Sequence, residues 1–105
     1  MKIAINKSHG GFVLSDKAMR RYAELSNIHF VFEDGEFYTG FVDPDNLFCD
    51  SDIARNDINL IKTIEELGGD ASYKYSDIII KEIPDNVDWV IINDKGQETI
   101  QINAR

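Results

Sequence analysis

Residues 77–103, DIIIKEIPDNVDWVIINDKGQETIQIN, decide the fold, because they contain three apolar runs separated by two turn signals. The runs are 77–83, 87–93 and 97–103. Each has the length and the β-branched composition of a strand. Pro84-Asp85-Asn86 ends the first run, and Lys95-Gly96 separates the second from the third. This order predicts a meander of three antiparallel strands.

The same stretch also predicts how two of these strands are buried. Ile78-Ile79-Ile80 is continuously apolar, which is typical of a strand covered on both faces. In the last strand, Ile100 and Ile102 alternate with polar residues, which is typical of a half-exposed antiparallel strand.

Upstream of this stretch, local signals predict a strand, a helix and a hairpin. Lys2–Asn6 alternates as a strand does, and Ser15 is placed to cap a helix over Asp16–Ser26. Runs at 28–33 and 36–42 flank Asp34-Gly35, a dipeptide that favours a tight hairpin turn.

A second helix is predicted over 57–67, capped by Asn56 or Asp57, with Gly68 placed for a left-handed C-terminal cap. The resulting order is β-α-β-β-α-β-β-β. It predicts an α+β fold in which two helices pack on one face of an antiparallel sheet. We expect one acidic domain over residues 1–105, which is an ordinary length for a single domain.

Charge is distributed unevenly along the chain. Nineteen Asp and Glu against eleven Lys and Arg give a net charge of −8. The acidic stretch 33–57 contains a single cation, Arg55. Its acidic residues, with Arg55 our candidates for partner contact, are Glu33, Asp34, Glu36, Asp43, Asp45, Asp50, Asp52 and Asp57.

Negative charge of this density repels phosphate, so we expect no direct contact with nucleic acid. One hypothesis is that the stretch imitates a phosphate backbone and occupies a basic surface on another protein. The alternative is a solvated face that maintains solubility. Arg55 has two interpretations as well, as a contact residue or as a cation that neutralises its neighbours.

A second candidate site is the glycine-rich turn after the first strand. Lys7, His9, Gly10 and Gly11 precede the first helix, whose N-terminus favours anions. Together with Arg55 they are candidates for binding an anionic nucleotide. The competing interpretation is a structural turn, because the phosphate-loop and dinucleotide motifs are missing.

The sequence offers no constellation for catalysis, metal binding or membrane insertion. No nucleophile–base–orienter set is recognisable, and the EF-hand pattern starting at Asp43 fails at Phe48 and Ala54. We therefore predict no enzyme activity, no cofactor and no metal. The longest apolar runs are too short to cross a membrane, and the lone Cys49 fits a reducing cytoplasm.

Several patches resemble a group of short proteins from bacteriophages and prophages, mostly without assigned function. They are Lys2–Asn6, Gly10-Gly11-Phe12, Leu14-Ser15, Arg55-x-Asp57 leading into Leu60-Ile61, Glu65-Glu66-Leu67-Gly68, Glu82-Ile83-Pro84-Asp85 and Asp88-Trp89. The resemblance implies a viral accessory protein in the cytoplasm of a bacterial host. Small acidic phage proteins of this kind are often inhibitors of host machinery, including CRISPR and restriction systems.

Three hypotheses therefore stand. The first is a non-enzymatic inhibitor that binds a host defence protein through its acidic surface. The second is a small-ligand binder, or sponge, for an anionic nucleotide. The third is a structural or assembly component that forms a homodimer through exposed strand edges such as 97–103.

Overall fold

The computed structural model describes residues 1–27 and 53–103, together with the backbone of two short strands, 31–34 and 39–42. The elements are β1 (Lys2–Asn6), α1 (Asp16–Ser26), β2 (Val31–Asp34), β3 (Thr39–Val42), α2 (Ile58–Leu67), a 3₁₀ turn (Gly68–Ala71), β4 (Ile78–Glu82), β5 (Asp88–Asp94) and β6 (Gln97–Asn103). The α+β class and the order of helices and strands are confirmed.

The described strands form three antiparallel pairs, β1–β4, β2–β3 and β5–β6, in place of the expected single sheet. The meander therefore stops at Pro84, and β4 pairs with β1 instead of β5. The physical reason lies in the isoleucines of β4. Because a strand that is apolar on both sides needs a layer above and a layer below, the β5–β6 hairpin serves as a cover and not as a neighbour within the sheet.

The β1–β4 ladder is consequently the middle layer of the molecule. On one side Ala4, Ile78 and Ile80 pack with α1 and α2 in the larger apolar cluster. On the other side Ile79 packs with the smaller cluster, to which β5 and β6 contribute. The prediction that Ile78-Ile79-Ile80 is covered on both faces is confirmed.

Both helices begin at the predicted caps. The Ser15 hydroxyl accepts from the Ala18 N–H at 3.1 Å, and α1 ends at Asn27 in the left-handed conformation (φ 54°, ψ 44°). Of the two candidates for α2, Asp57 is the cap. Gly68 ends α2 with positive φ, but its ψ of −128° lies outside the left-handed helical region that we predicted.

The β2–β3 hairpin is confirmed, whereas its predicted tight turn is not. Asp34 lies opposite Thr39, and Phe32 lies opposite Phe41, so four residues separate the paired ends. A two-residue Asp34-Gly35 turn would have set Glu33 directly opposite Glu36, and like charges in that position are unfavourable. The observed register avoids this pair.

Candidate functional site

The outer edge of β1 is closed by two side chains and one loop carbonyl instead of a strand. The Ala4 N–H donates to the Arg55 carbonyl oxygen at 2.8 Å. The Asn6 N–H donates to Glu98 Oε1, also at 2.8 Å. Arg55 Nη1 donates to the Ala4 carbonyl oxygen at 3.4 Å. Arg55 and Glu98 therefore satisfy backbone groups that would otherwise lie unpaired at a buried edge.

Arg55 and Glu98 also form a two-pronged ion pair. Nη1 lies 2.6 Å from Oε1, and Nη2 lies 2.9 Å from Oε2. The Arg55 side chain is 17% exposed and the Glu98 side chain 3%. The guanidinium carbon also sits 3.6 Å from the centre of the Phe12 ring, within the range of a cation–π contact. Such a pair tolerates burial because hydrogen bonds and the opposite charge compensate both ions.

Asn6, at the end of β1, connects three separate segments. Its side-chain nitrogen Nδ2 donates to the carbonyl oxygens of Ser8 and Gly96, each at 2.7 Å. Its amide oxygen accepts from the Asp77 N–H at 2.8 Å. The residue is fully buried. Its side chain therefore joins the glycine-rich turn, the β5–β6 turn and the start of β4.

The glycine-rich turn serves close packing between backbones. A Cβ on Gly10 would lie 1.7 Å from the Tyr75 carbonyl oxygen. A Cβ on Gly96 would lie 2.3 Å from the His9 carbonyl oxygen. The Gly10 N–H donates within the turn to the Ser8 hydroxyl at 3.2 Å. The structural interpretation of this turn therefore accounts for its composition.

The candidate nucleotide residues are only partly available. Lys7, His9 and Gly10 are exposed, and Gly11 is half-buried. Arg55 donates to the Glu98 carboxylate, and the same carboxylate accepts from the N–H of Asn6, just before the turn. Because its guanidinium is bound to that carboxylate, Arg55 is not a free cation for a phosphate.

The acidic candidates divide into two groups. Glu33 and Asp34 lie on β2, and Glu36, Asp43, Asp45, Asp50 and Asp52 fall outside the described residues. The structure gives Arg55 and Asp57 roles inside the fold. Asp57 Oδ1 caps α2 by accepting from the N–H groups of Asn59 and Leu60 at 2.8 and 3.1 Å. Asp57 Oδ2 accepts from the Tyr22 hydroxyl at 3.3 Å.

With these two residues assigned to the fold, the remaining negative charge is sharply localised. Residues 1–27 and 53–103 contain ten Lys and Arg against twelve Asp and Glu, so they are close to balance. Residues 28–52 contain seven Asp and Glu and no Lys or Arg. We call 28–52 the acidic segment, and it holds nearly the whole negative surplus of the chain.

Ion pairs neutralise many acidic groups in the balanced part. Arg21 pairs with Glu66 at 2.7 Å and with Glu24 at 3.0 Å. The hydrogen bond from Arg21 holds the pKa of Glu66 below its ordinary value. The N-terminal ammonium likewise lowers the pKa of Asp85, 2.8 Å away. These groups carry little net field of their own because each negative charge has a positive neighbour.

The described residues show two further features. Within 1–27, 31–34, 39–42 and 53–103, no group of three or more His, Cys, Asp and Glu is arranged to hold a metal ion. In the same ranges, none of the helices has both the length and the apolar character that a membrane span requires.

The chain matches no known family model, no curated protein and no solved structure. Sequence reasoning missed two of the residues described above, Asn6 and Glu98. A signal for Glu98 existed, because it shares a strand face with Ile100 and Ile102, where a lone charge needs a partner.

Proposed function

We propose that this protein is a non-enzymatic, phage-encoded accessory protein that binds and inhibits a host protein of anti-phage defence, such as a CRISPR or restriction component. The observation that carries the proposal is the separation of charge. Seven carboxylates lie in the 25 residues of the acidic segment without a cation, whereas the rest of the chain is nearly balanced. The resemblance to phage proteins supports the viral origin and the host cytoplasm as the place of action.

The physical basis is electrostatic complementarity. A nucleic-acid-binding groove is lined with Lys and Arg that normally contact phosphates. A run of carboxylates without a cation presents to that groove a negative charge similar to that of the phosphates. It would speed the encounter with a basic surface and compete with the nucleic acid for it. The partner is therefore a protein with a basic surface, and nucleic acid itself is excluded by repulsion.

The test compares two variants of equal net charge. The first changes Asp43, Asp45, Asp50 and Asp52 to Asn within the acidic segment. The matched control changes Asp70, Asp77 and Asp94 to Asn and Glu82 to Gln, all exposed positions in the balanced part. Each protein is immobilised and exposed to a bacterial host lysate at increasing salt, with and without double-stranded DNA.

We expect the wild type and the control to retain a basic nucleic-acid-binding protein, released by salt and by added DNA. The acidic-segment variant should lose about tenfold or more in affinity, because each lost contact charge weakens binding. The retained protein should also lose its DNA binding when the wild type is added. Equal retention by all three proteins, or retention indifferent to salt and DNA, would exclude the mechanism.

The nucleotide-binding alternative rests on the exposed Lys7 and His9. Thermal unfolding with a panel of nucleotides separates it from the first proposal. A ligand present at 100 times its dissociation constant adds about 2.7 kcal/mol to stability. A rise in melting temperature that is lost in Lys7→Gln would favour this alternative, whereas no rise with any nucleotide removes it.

A further inference from the structure

The β5–β6 hairpin is the less buried of the two layers that cover the β1–β4 ladder. Its two strands have seven residues each, and Glu98 is the only one of them that is buried. Trp89, Ile91 and Ile100 pack against the smaller apolar cluster but are half-buried. By contrast, α1 contributes three buried residues and α2 four. The hairpin therefore has much less buried area to hold it in place than the helical layer.

Backbone pairing does not hold the hairpin to the ladder either. In the part of the chain that the structure describes, β5 and β6 pair with each other and with no third strand. A groove of about 400 Å³ lies between β6 and the ladder, and Lys7, Lys81 and Glu82 line it together with isoleucines. Because charged side chains stay hydrated, water reaches the space between the two layers.

The one buried residue of the hairpin is held by charge. Arg55 Nη1 and Nη2 donate to the two carboxylate oxygens of Glu98 at 2.6 and 2.9 Å. The Asn6 N–H donates to the same carboxylate, and Asn6 Nδ2 donates to the Gly96 carbonyl oxygen. Arg55 itself lies just before α2, and its carbonyl oxygen accepts from the Ala4 N–H. The ion pair therefore connects the hairpin to β1 and to the start of the helical layer.

We propose that the β5–β6 hairpin opens from the β1–β4 ladder as one unit while the helical layer stays folded, and that the Arg55–Glu98 pair is the latch that sets how often it opens. Proteins open locally in cooperative units, and units with few buried apolar contacts open at the lowest free energy. Once detached, a two-stranded hairpin is marginally stable, so its own hydrogen bonds break as well. The inference is independent of the proposed function.

Opening changes the character of the ladder. Ile3 and Ile5, which pack with the hairpin in the smaller apolar cluster, lose their cover. The Asn6 N–H loses Glu98, so the edge of β1 becomes a free strand edge. The open state therefore exposes both an apolar face and unpaired backbone groups, and the latch limits its population.

Hydrogen exchange of the native protein, followed residue by residue by NMR, measures both kinds of opening. The amides of β5 and β6 report the hairpin, and those of α2 report unfolding of the helical layer. We expect the hairpin amides to share one protection factor, at least about tenfold below that of α2. Equal protection of the two layers would overturn the proposal, because the chain would then open only as a whole.

Two variants separate the layers. Ile64→Val removes a methyl group from the helical layer, which stays packed in the open state. It should lower the protection of α2 about two- to tenfold and leave that of the hairpin unchanged. Glu98→Gln removes the latch from the closed state alone, so it should lower the protection of both layers about a hundredfold. Glu82→Gln, at an exposed position on β4, is the matched control and should change neither.

Two outcomes contradict this latch. A parallel fall of hairpin and α2 protection in Ile64→Val shows that the layers open together. Hairpin protection in Glu98→Gln equal to that of the wild type shows that the ion pair does not hold the hairpin. Ile64→Val keeps an apolar side chain in the core, so it distinguishes local from global opening even if Glu98→Gln does not fold.

Discussion

Two strand edges in this molecule, those of β1 and β6, differ in the side chains that lie beside their backbone hydrogen-bonding groups. The edge of β1 is closed by Arg55 and Glu98, whose charges are buried and paired. The edge of β6 carries uncharged polar side chains, and within the described residues only β5 pairs with it. A charged pair can thus complete a sheet edge inside a chain, where a neighbouring strand would otherwise be needed.

The largest effect should come from breaking the β1 edge at Glu98. Glu98→Gln keeps an acceptor for the Asn6 N–H but leaves the charge of Arg55 buried and uncompensated. We expect a loss of about 3 kcal/mol in the free energy of unfolding. Urea denaturation followed by circular dichroism measures this loss.

Two further variants serve as controls for this measurement. Glu82→Gln removes an exposed carboxylate from β4 and should change stability by less than about 0.5 kcal/mol. The double variant Arg55→Met with Glu98→Gln removes the uncompensated charge and should recover part of the loss. If the double variant is less stable than Glu98→Gln alone, the buried charge is not the cause.

An intermediate effect on stability should follow from changing Gly96, in the turn just before β6. Gly96 has φ 93°, and an added Cβ would meet the His9 carbonyl oxygen. Gly96→Ala should therefore cost about 1–3 kcal/mol through backbone strain and separation of the two turns. Gly69→Ala is the control, because no heavy atom lies within 4 Å of its added Cβ and its φ is not positive. Equal melting temperatures for the two variants would contradict this packing.

The smallest effect concerns charge pairs that remain in water. Arg21 lowers the pKa of Glu66 from 4.5, so the stabilisation is present above that pH and is lost as pH falls through the lowered pKa. Arg21→Gln should return the pKa of Glu66 toward 4.5, as measured by carbon-detected NMR titration. Asp85 is the internal control, because its partner is the N-terminal ammonium and its pKa should stay low. An unchanged Glu66 titration in Arg21→Gln would exclude the pairing.

The sequence predicted correctly those helix ends and turns that are fixed by contacts between neighbouring residues. The bounds of α1 agree residue for residue because Ser15 caps the helix within its own first turn. The Lys95-Gly96 turn was identified because a glycine interrupts two apolar runs, and the structure shows positive φ at both residues. The class and the order of elements follow from these signals.

Pairings between distant residues were beyond this reasoning. The pairing of β1 with β4 joins Lys2 to Glu82, and no nearby residue specifies that choice. Arg55 was interpreted either as a contact residue or as a neighbour of Asp57, whereas its partner Glu98 lies 43 residues away. The acidic segment is visible in the composition alone, and its role as a partner surface stays a prediction.

The β1–β4 ladder has a consequence for how the chain acquires its structure during synthesis. β1 emerges from the ribosome before every segment that it contacts, and its last partner, Glu98, is made more than 90 residues later. The middle layer therefore assembles only after β4 has been made, and contacts so distant in sequence form slowly. Until β4 is made, the apolar strand β1 stays unpaired, and an unpaired apolar strand is prone to aggregation.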